Sequence, residues 1–125
     1  MSERVASYPY ETAVTAYGNG GFRFADMSHR GSILCLPTGI YAWPVIEAET
    51  LALVDFAKIF ADLKAPGTLL LGTGAMQVWP GPELTKAFAD AGIGLEVMST
   101  GAAARTYNVL LAEKRLVGAA LIAVA

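Results

Sequence analysis

Residues 93–124 read IGLEVMSTGAAARTYNVLLAEKRLVGAALIAV, and this stretch decides the fold. It begins with a short strand, IGLEVM, and ends with a continuously apolar run, LVGAALIAV, that is typical of a buried strand. Between them, Ser99 and Thr100 favour a helix N-cap, and residues 102–114 predict a helix. Because crossovers within one sheet are right-handed and join parallel strands, the stretch predicts a β-α-β unit.

The preceding segment adds another strand and another helix to this unit. Residues 67–72, GTLLLG, form an apolar run of the kind that is buried on both faces of a parallel sheet. Residues 81–92, GPELTKAFADAG, predict a helix with Pro82 in its first turn and Gly92 at the C′ position. Its inward face is expected to hold Leu84, Phe88 and Ala91. The second half is thus predicted to be β-α-β-α-β.

A third helix is predicted over residues 49–64, ETLALVDFAKIFADLK, which begin with N-cap candidates Glu49 and Thr50. Five apolar side chains recur there at helical spacing and predict one buried face, namely Leu53, Phe56, Ala57, Phe60 and Leu63.

The N-terminal part has the turn residues of an antiparallel β-meander. In residues 15–24, TAYGNGGFRF, two short apolar runs flank a tight-turn signal, GNGG. Residues 31–37 and 39–45, GSILCLP and GIYAWPV, predict two more strands. His29 is predicted to lie at a turn. The chain is therefore expected to be an α/β protein with an antiparallel N-terminal portion.

Composition predicts a compact domain with few charges. The expectation is a single domain over residues 1–125, of which residues 1–13 form an extended segment. The chain is 54% hydrophobic and 16% charged, whereas globular proteins average about 25% charged residues. So low a charge content suggests a face for a partner or for self-association. The net charge of −2 argues against nucleic-acid binding, and the single Cys35 excludes an internal disulfide.

No transmembrane segment is expected from the sequence. Residues 65–82 are uncharged, but three prolines and four glycines prevent them from forming one helix. The apolar tail at Leu116–Ala125 has ten residues, whereas a spanning helix needs ~20. The N-terminus lacks the apolar core of a signal peptide. These features predict a soluble, cytoplasmic protein.

A candidate polar site lies where parallel strands end. Ligands of open α/β sheets bind at the carboxyl ends of the strands, where residues 72–74 and residues 99–101 are expected to face each other. The second loop leads into a helix whose free N–H groups favour anions, and the following run adds polar side chains. The candidate ligand-binding residues are Gly72, Thr73, Gly74, Thr100, Arg105, Thr106, Tyr107 and Asn108.

Each of the polar side chains also has a structural interpretation. Tyr107 could be a core residue whose hydroxyl seeks a partner. Arg105 could pair with Glu96 or Glu113, and Asn108 could satisfy loop backbone.

No cofactor, metal or catalytic residue is assigned from the sequence. Residues 72–77, GTGAMQ, lack the third glycine and the downstream acidic residue of a dinucleotide-binding motif. His29 has no nucleophile or carboxylate at a recognisable spacing. The glycines are better explained by tight turns and close helix packing.

In residues 31–43, 69–74 and 92–122, the chain resembles a known family. Its most specific parts are GTG, the run from Thr100 to Asn108, and the LLAE segment before Arg115. The family is the domain of unknown function shared by bacterial and archaeal single-domain proteins, mitochondrial complex I assembly factor three and an adipogenesis-associated protein. The amino-acid sequence of these segments is especially similar to those of alphaproteobacterial members. The resemblance implies a three-layer α/β fold and no established enzymatic activity.

The sequence suggests three alternative functions. The first is a non-enzymatic assembly or interaction factor for respiratory NADH dehydrogenase (complex I) or a related membrane complex, peripheral to the inner membrane. Its partners would be respiratory-chain proteins or membrane-insertion machinery. Either Trp43 or Trp79 could anchor a partner, although packing is the commoner role of tryptophan. The second is a small-molecule-binding protein or enzyme with a pocket at loops 72–74 and 99–108. The third is a homodimer formed through the terminal strand Leu116–Val124, if that strand lies at a sheet edge.

Overall fold

The computed structural model describes residues 7–62 and 64–125. It contains eight strands, three α-helices and two 3-10 turns within these residues. The strands are β1 Val14–Gly18, β2 Gly21–Phe24, β3 Met27–Arg30, β4 Ser32–Leu36, β5 Gly39–Trp43, β6 Thr68–Gly72, β7 Gly94–Met98 and β8 Val117–Leu121. The α-helices are α1 Ala57–Ala61, α2 Pro82–Asp90 and α3 Thr100–Ala112, and the 3-10 turns are Ala48–Thr50 and Leu53–Phe56.

The central sheet has five strands in the order β5-β4-β8-β6-β7. Strand β6 runs parallel to both β7 and β8, so the predicted β-α-β-α-β half is confirmed. Strand β4 runs antiparallel to β8 and to β5, which makes the sheet mixed. Strands β1, β2 and β3 form a separate antiparallel sheet. The prediction of one N-terminal meander is therefore wrong in part, because the fully buried β4 needs cover on both faces and joins the central sheet.

Strand β8 lies in the interior of the central sheet, between β4 and β6. All five of its residues are buried. The condition on which the homodimer depended, that this strand lies at a sheet edge, is not met, because a continuously apolar strand is most stable where both faces and both edges are covered. It has no free edge that could pair with a second copy of the chain.

The central sheet is covered on both faces, which confirms the three-layer α/β arrangement. One core contains side chains of α1, α2 and the second 3-10 turn, such as Ile59, Phe88 and Phe56. The other core joins the sheet to α3 and to the β1–β3 sheet through residues such as Tyr107 and Phe24.

The predicted helix over residues 49–64 is mostly wrong. Only Ala57–Ala61 is α-helical, and Leu53 is partly exposed instead of facing the core. Trp43 Nε1 donates a 2.7 Å hydrogen bond to the carbonyl of Asp55, a group that a continuous helix would use for its own ladder. Leu63, assigned to the buried face, lies outside the described residues.

Helix α2 follows the predicted caps. Pro82 occupies its first turn, and Gly92 adopts a φ of 73° immediately after the helix. The Ile93 amide bonds to the Phe88 carbonyl at 3.0 Å, which completes a Schellman-type C-terminus. Ala91 was expected to face inward, but it is the C-cap residue and is exposed.

The first hairpin turn has its predicted form, with φ of 53° at Asn19 and 78° at Gly20. Strand β3 was not predicted, and His29 lies within it instead of at a turn. The β2–β3 turn places Ala25 and Asp26 at φ of 50° and 62°, so it lacks the usual glycine or asparagine signal.

The predicted extended segment at residues 1–13 is described only in part, since residues 1–6 lie outside the described residues. Tyr8 forms an antiparallel bridge with Ile40 of β5.

Candidate functional site

The two loops at the carboxyl ends of the parallel strands meet. The Gly74 amide donates to Thr100 Oγ1 at 2.9 Å, and the Thr100 amide donates to the Gly74 carbonyl at 2.8 Å. The Thr73 amide bonds to the carbonyl of Met98 at 3.0 Å. The strand ends therefore form one continuous hydrogen-bonded layer.

Thr100 lies at the centre of this layer and is fully buried. Its hydroxyl donates a 2.7 Å hydrogen bond to the Ile122 carbonyl, which adds the exit of β8 to the loops after β6 and β7. A β-carbon at Gly72 would lie 2.9 Å from Thr100 Cα and 3.1 Å from Leu121 Cδ2. Glycine at position 72 thus permits a close approach that a larger residue would prevent.

Thr73 organises the loop that follows β6. Its hydroxyl donates to the Met76 carbonyl at 2.6 Å and accepts a 2.9 Å hydrogen bond from the Val78 amide. The Gln77 side chain donates to the Val97 carbonyl at 2.8 Å. These bonds fix the loop in one shape and occupy the Thr73 hydroxyl.

Asn108 joins α3 to the small sheet. Its side-chain amide donates to the Val14 carbonyl at 2.7 Å, and its side-chain oxygen accepts from the Val14 amide at 2.9 Å. The carboxamide thereby acts as a strand partner for β1. This is the backbone-satisfying role that the sequence had left open.

Tyr107 is fully buried in the core beneath α3. Burial raises the pKa of its hydroxyl far above the usual range, and the nearby Cys35 and Glu11 raise it further. Burial also raises the pKa of the Cys35 thiol. Within the part of the chain that the structure describes, the Tyr107 hydroxyl has no hydrogen-bond partner. Both groups are therefore neutral core residues at physiological pH.

Arg105 is the charged member of the predicted set, and its side chain is exposed. Within residues 7–62 and 64–125 it forms no ion pair with Glu96 or Glu113. A β-carbon at Gly101 would touch the Tyr17 hydroxyl and would lie 3.4 Å from Arg105 Nη1. The guanidinium therefore lies close to the Tyr17 side chain, over the first turn of α3.

The eight predicted residues thus differ in what they contact. The Thr73, Thr100 and Asn108 side chains bond to backbone, whereas Thr106 is half-buried and Arg105 is free of carboxylates in the described chain. A ligand-binding role for the set stays a prediction.

Exposed apolar side chains near these loops were largely missed by sequence reasoning. Trp79 and Met76 are 71% and 74% exposed, and both lie in the loop that Thr73 organises. Ile46 and Val54 are 85% and 76% exposed. A tryptophan beside a proline was the available sequence signal, and it favoured packing over partner binding.

Two other properties bear on the class of protein. Within residues 7–62 and 64–125, the structure contains no helix that is both long and apolar enough to cross a bilayer. The same residues contain no cluster of three or more histidine, cysteine or carboxylate side chains that could hold a metal ion.

Residues 14–122 match a family that is described as "Protein of unknown function (DUF498/DUF598)". The chain belongs to this family. The match includes every strand and helix described above except the N-terminal bridge at Tyr8.

Two relatives illustrate the similarity. An uncharacterised protein of Rhodobacter capsulatus is 34% identical over 122 residues, which are 98% of this chain and 93% of that protein. The NADH dehydrogenase [ubiquinone] 1 alpha subcomplex assembly factor 3 of Danio rerio is 31% identical over 111 residues. That match covers 89% of this chain but 64% of the assembly factor, so the chain spans less than two thirds of that relative.

A solved structure has the same fold. The crystal structure of an outer membrane protein from Bartonella henselae superposes with a TM-score of 0.89 at 45% identity. The superposition covers 94% of this chain and 99% of the other.

Proposed function

We propose that this chain is a non-enzymatic interaction factor that assists the assembly of a membrane complex, with respiratory NADH dehydrogenase as the first candidate. A relative that is 31% identical is named as an assembly factor of that enzyme. In this proposal the chain works in the cytoplasm at the face of the inner membrane. Its partner is a respiratory-chain subunit or a component of the membrane-insertion machinery.

The observation that carries the proposal is a set of exposed apolar side chains. We name Ile46, Val54, Met76 and Trp79 the loop-end apolar surface. Each is at least 71% exposed, although large apolar side chains are normally buried. Apolar side chains gathered on one surface mark interaction sites in soluble proteins.

Hydrogen bonds place these side chains at one end of the central sheet. The Ser32 hydroxyl donates to the Val45 carbonyl at 2.7 Å and accepts from the Ala123 amide at 2.9 Å. The Ile122 amide bonds to the Gly72 carbonyl at 3.0 Å. The segment before Ile46 therefore lies beside the exit of β8, which lies beside the start of the Met76 loop.

Val54 belongs to the same end of the molecule. The hydrogen bond from Trp43 Nε1 to the Asp55 carbonyl holds the 3-10 turn against the end of β5. A hollow of about 300 Å³ lies between this turn and the Ile46 segment, lined in part by Pro44, Thr50 and Asp55. The hollow gives a partner side chain a place to insert.

The loop that carries Met76 and Trp79 is preorganised by hydrogen bonds. The Thr73 hydroxyl and the Gln77 side chain fix its backbone through three hydrogen bonds. Preorganisation lowers the entropy cost of association. Tryptophan is enriched among the residues that dominate binding energy, so Trp79 is the expected anchor.

The test is affinity purification of the tagged full chain from its native cells, with membranes solubilised and partners identified by mass spectrometry. A Met76→Ser/Trp79→Ser variant is compared with a Val109→Ser/Leu116→Ser variant, which removes exposed apolar side chains from α3 and the segment after it. NADH dehydrogenase subunits are expected with the wild type and the control variant, and not with Met76→Ser/Trp79→Ser.

Two results would contradict the proposal in different ways. Equal recovery with all three proteins would exclude Met76 and Trp79 as the contact. Recovery no greater than with an unrelated tagged protein would exclude NADH dehydrogenase as the partner.

We also propose a second candidate function, in which loops 72–74 and 99–108 bind a small molecule. Arg105 favours it, because an exposed guanidinium at the start of a helix can bind an anion. Replacement of Arg105 by alanine should then abolish binding in a metabolite screen. An unchanged set of bound metabolites would remove this candidate.

A further inference from the structure

A cavity of about 470 Å³ lies on the β1–β3 sheet, and none of its lining residues belongs to the loop-end apolar surface. Its lining residues include Tyr17, Gly21, Arg23, Ser28, His29 and Arg30, and no aspartate or glutamate is among them. This volume is within the range of small-molecule sites, about 300–1,000 Å³. We name this feature the arginine cavity.

Strand register places the two arginines on one face of the small sheet. Arg23 of β2 pairs with Ser28 of β3, and Gly21 pairs with Arg30. Because side chains alternate along a strand, Arg23 and Gly21 share the face opposite to Phe22. Arg23 and Arg30 are therefore diagonal neighbours, about 7–8 Å apart at the backbone.

Gly21 lets strands β2 and β3 approach closely beside the cavity. A β-carbon at this position would collide with the His29 carbonyl. No side chain therefore stands opposite Arg30 in the Gly21–Arg30 pair.

Both arginines are exposed, and within residues 7–62 and 64–125 neither forms an ion pair. Neither guanidinium is therefore neutralised by a carboxylate at ion-pair distance among the described residues, and both can contact an anion.

Hydrogen bonds fix the rim of the cavity. The Gly20 amide donates to the Val124 carbonyl at 2.7 Å, and the Gly20 carbonyl accepts from the Gly31 amide at 2.7 Å. The first hairpin turn is thus anchored to the exit of β8 and to the end of β3. Tyr17 is also among the lining residues, but it pairs with Phe22, so its side chain lies on the face opposite to the two arginines, where its hydroxyl is near Gly101.

We propose that the arginine cavity binds the phosphate group of a small metabolite or of a lipid headgroup. A phosphate offers three acceptor oxygens and can bond to both guanidinium groups, whereas a carboxylate fits the fork of a single arginine. The Ser28 hydroxyl, which is opposite Arg23, is placed to supply a neutral hydrogen bond.

The test uses the full chain labelled with ¹⁵N. Amide shifts are followed during titration with inorganic phosphate and with glycerol 3-phosphate at constant ionic strength. Separate sedimentation assays use vesicles of phosphatidylcholine with and without phosphatidylglycerol. The variants are Arg23→Gln and Arg30→Gln, and Arg115→Gln is the matched control because it removes an exposed arginine just beyond α3.

Shifts confined to residues 16–30 on addition of either soluble phosphate would assign the site to a metabolite. Binding to phosphatidylglycerol vesicles alone would assign it to a lipid headgroup. In either case Arg23→Gln and Arg30→Gln should each weaken binding about tenfold, while Arg115→Gln leaves it unchanged.

Absence of binding to every probe would overturn the proposal. So would an equal weakening by Arg115→Gln, since that result would show attraction by general charge and not by this cavity. Melting temperatures of all three variants serve as the check on folding, and they are expected to match the wild type because the replaced side chains are exposed.

Discussion

Gly74 and Thr100 exchange two hydrogen bonds, of 2.9 and 2.8 Å, and so join the loop after β6 to the start of α3. A third bond, from the Thr100 hydroxyl to the Ile122 carbonyl, adds the exit of β8. One side chain therefore connects the ends of all three parallel strands. The Thr100 hydroxyl already donates one hydrogen bond and accepts another within the protein, so it has little remaining capacity to bond to a ligand.

Replacement of Thr100 by valine should lower the free energy of unfolding by about 2–4 kcal/mol, because it leaves two buried backbone groups without partners. The matched control is Thr100→Ser, which keeps the hydroxyl and loses a methyl group worth about 1 kcal/mol. Urea unfolding followed by circular dichroism measures both. If the serine variant is as unstable as the valine variant, packing and not hydrogen bonding is the role of this residue.

Substitutions of Asn108 and of Arg105 can distinguish a structural role from a ligand-binding role within helix α3. Asn108→Ala removes both hydrogen bonds to Val14 and should cost about 1–3 kcal/mol. It should also speed hydrogen exchange at the Val14 amide, which bonds to the Asn108 side chain. Arg105→Ala should change stability by less than about 0.5 kcal/mol, since the side chain is exposed. A neutral Asn108→Ala variant would show that its carboxamide is available to a ligand.

The sequence predicted that the two loops meet, but it did not predict the hydrogen-bond partners of their polar side chains. Strand order follows from local apolar runs and from the handedness of crossovers, so residues 72–74 and 99–101 could be placed at one edge. The partners of Thr100 and Asn108 are Ile122 and Val14, which are 22 and 94 positions away in sequence. No local pattern contains contacts of that separation, so the hydroxyl and the carboxamide looked equally suited to a ligand.

The same limit explains the wrong helix over residues 49–64. Apolar spacing there is helical, but Trp43 takes the Asp55 carbonyl and Asp55 itself caps the Ala52 amide at 2.8 Å. The bond from Trp43 is a tertiary contact that overrides local propensity, whereas the bond between Asp55 and Ala52 is a local cap.

Tyr107 should make the protein less stable in alkali. Because burial raises the pKa of its hydroxyl, the unfolded chain loses this proton above about pH 10 while the folded chain keeps it. The free energy of unfolding therefore falls as pH rises through that range. Tyr107→Phe should raise stability at neutral pH by about 1 kcal/mol, since it removes a buried hydroxyl without a partner in the described chain.

The measurement is urea unfolding of wild type and Tyr107→Phe from pH 7 to pH 11, with Tyr10→Phe as an exposed control. The difference between wild type and Tyr107→Phe should widen with pH, and the Tyr10→Phe difference should stay near zero. A constant difference across the range would mean that the Tyr107 hydroxyl finds a partner, such as a buried water, that the alkaline form also uses.

The turn between β2 and β3 gives the last prediction. Ala25 has a φ of 50°, a left-handed conformation that costs a residue with a β-carbon about 1–2 kcal/mol. Ala25→Gly removes that cost and should raise the free energy of unfolding by about 0.5–1 kcal/mol after the entropy of glycine is subtracted. Ala16→Gly is the control, because Ala16 is exposed in the adjacent strand β1 and its φ is not positive.

The control variant should lose about 0.5–1 kcal/mol, so the two substitutions are expected to act in opposite directions. Guanidinium unfolding at neutral pH measures both. The absence of a glycine in this turn also explains why no sequence pattern indicated β3. Destabilisation by Ala25→Gly equal to that by Ala16→Gly would show that packing of the Ala25 methyl group against the core outweighs the backbone strain.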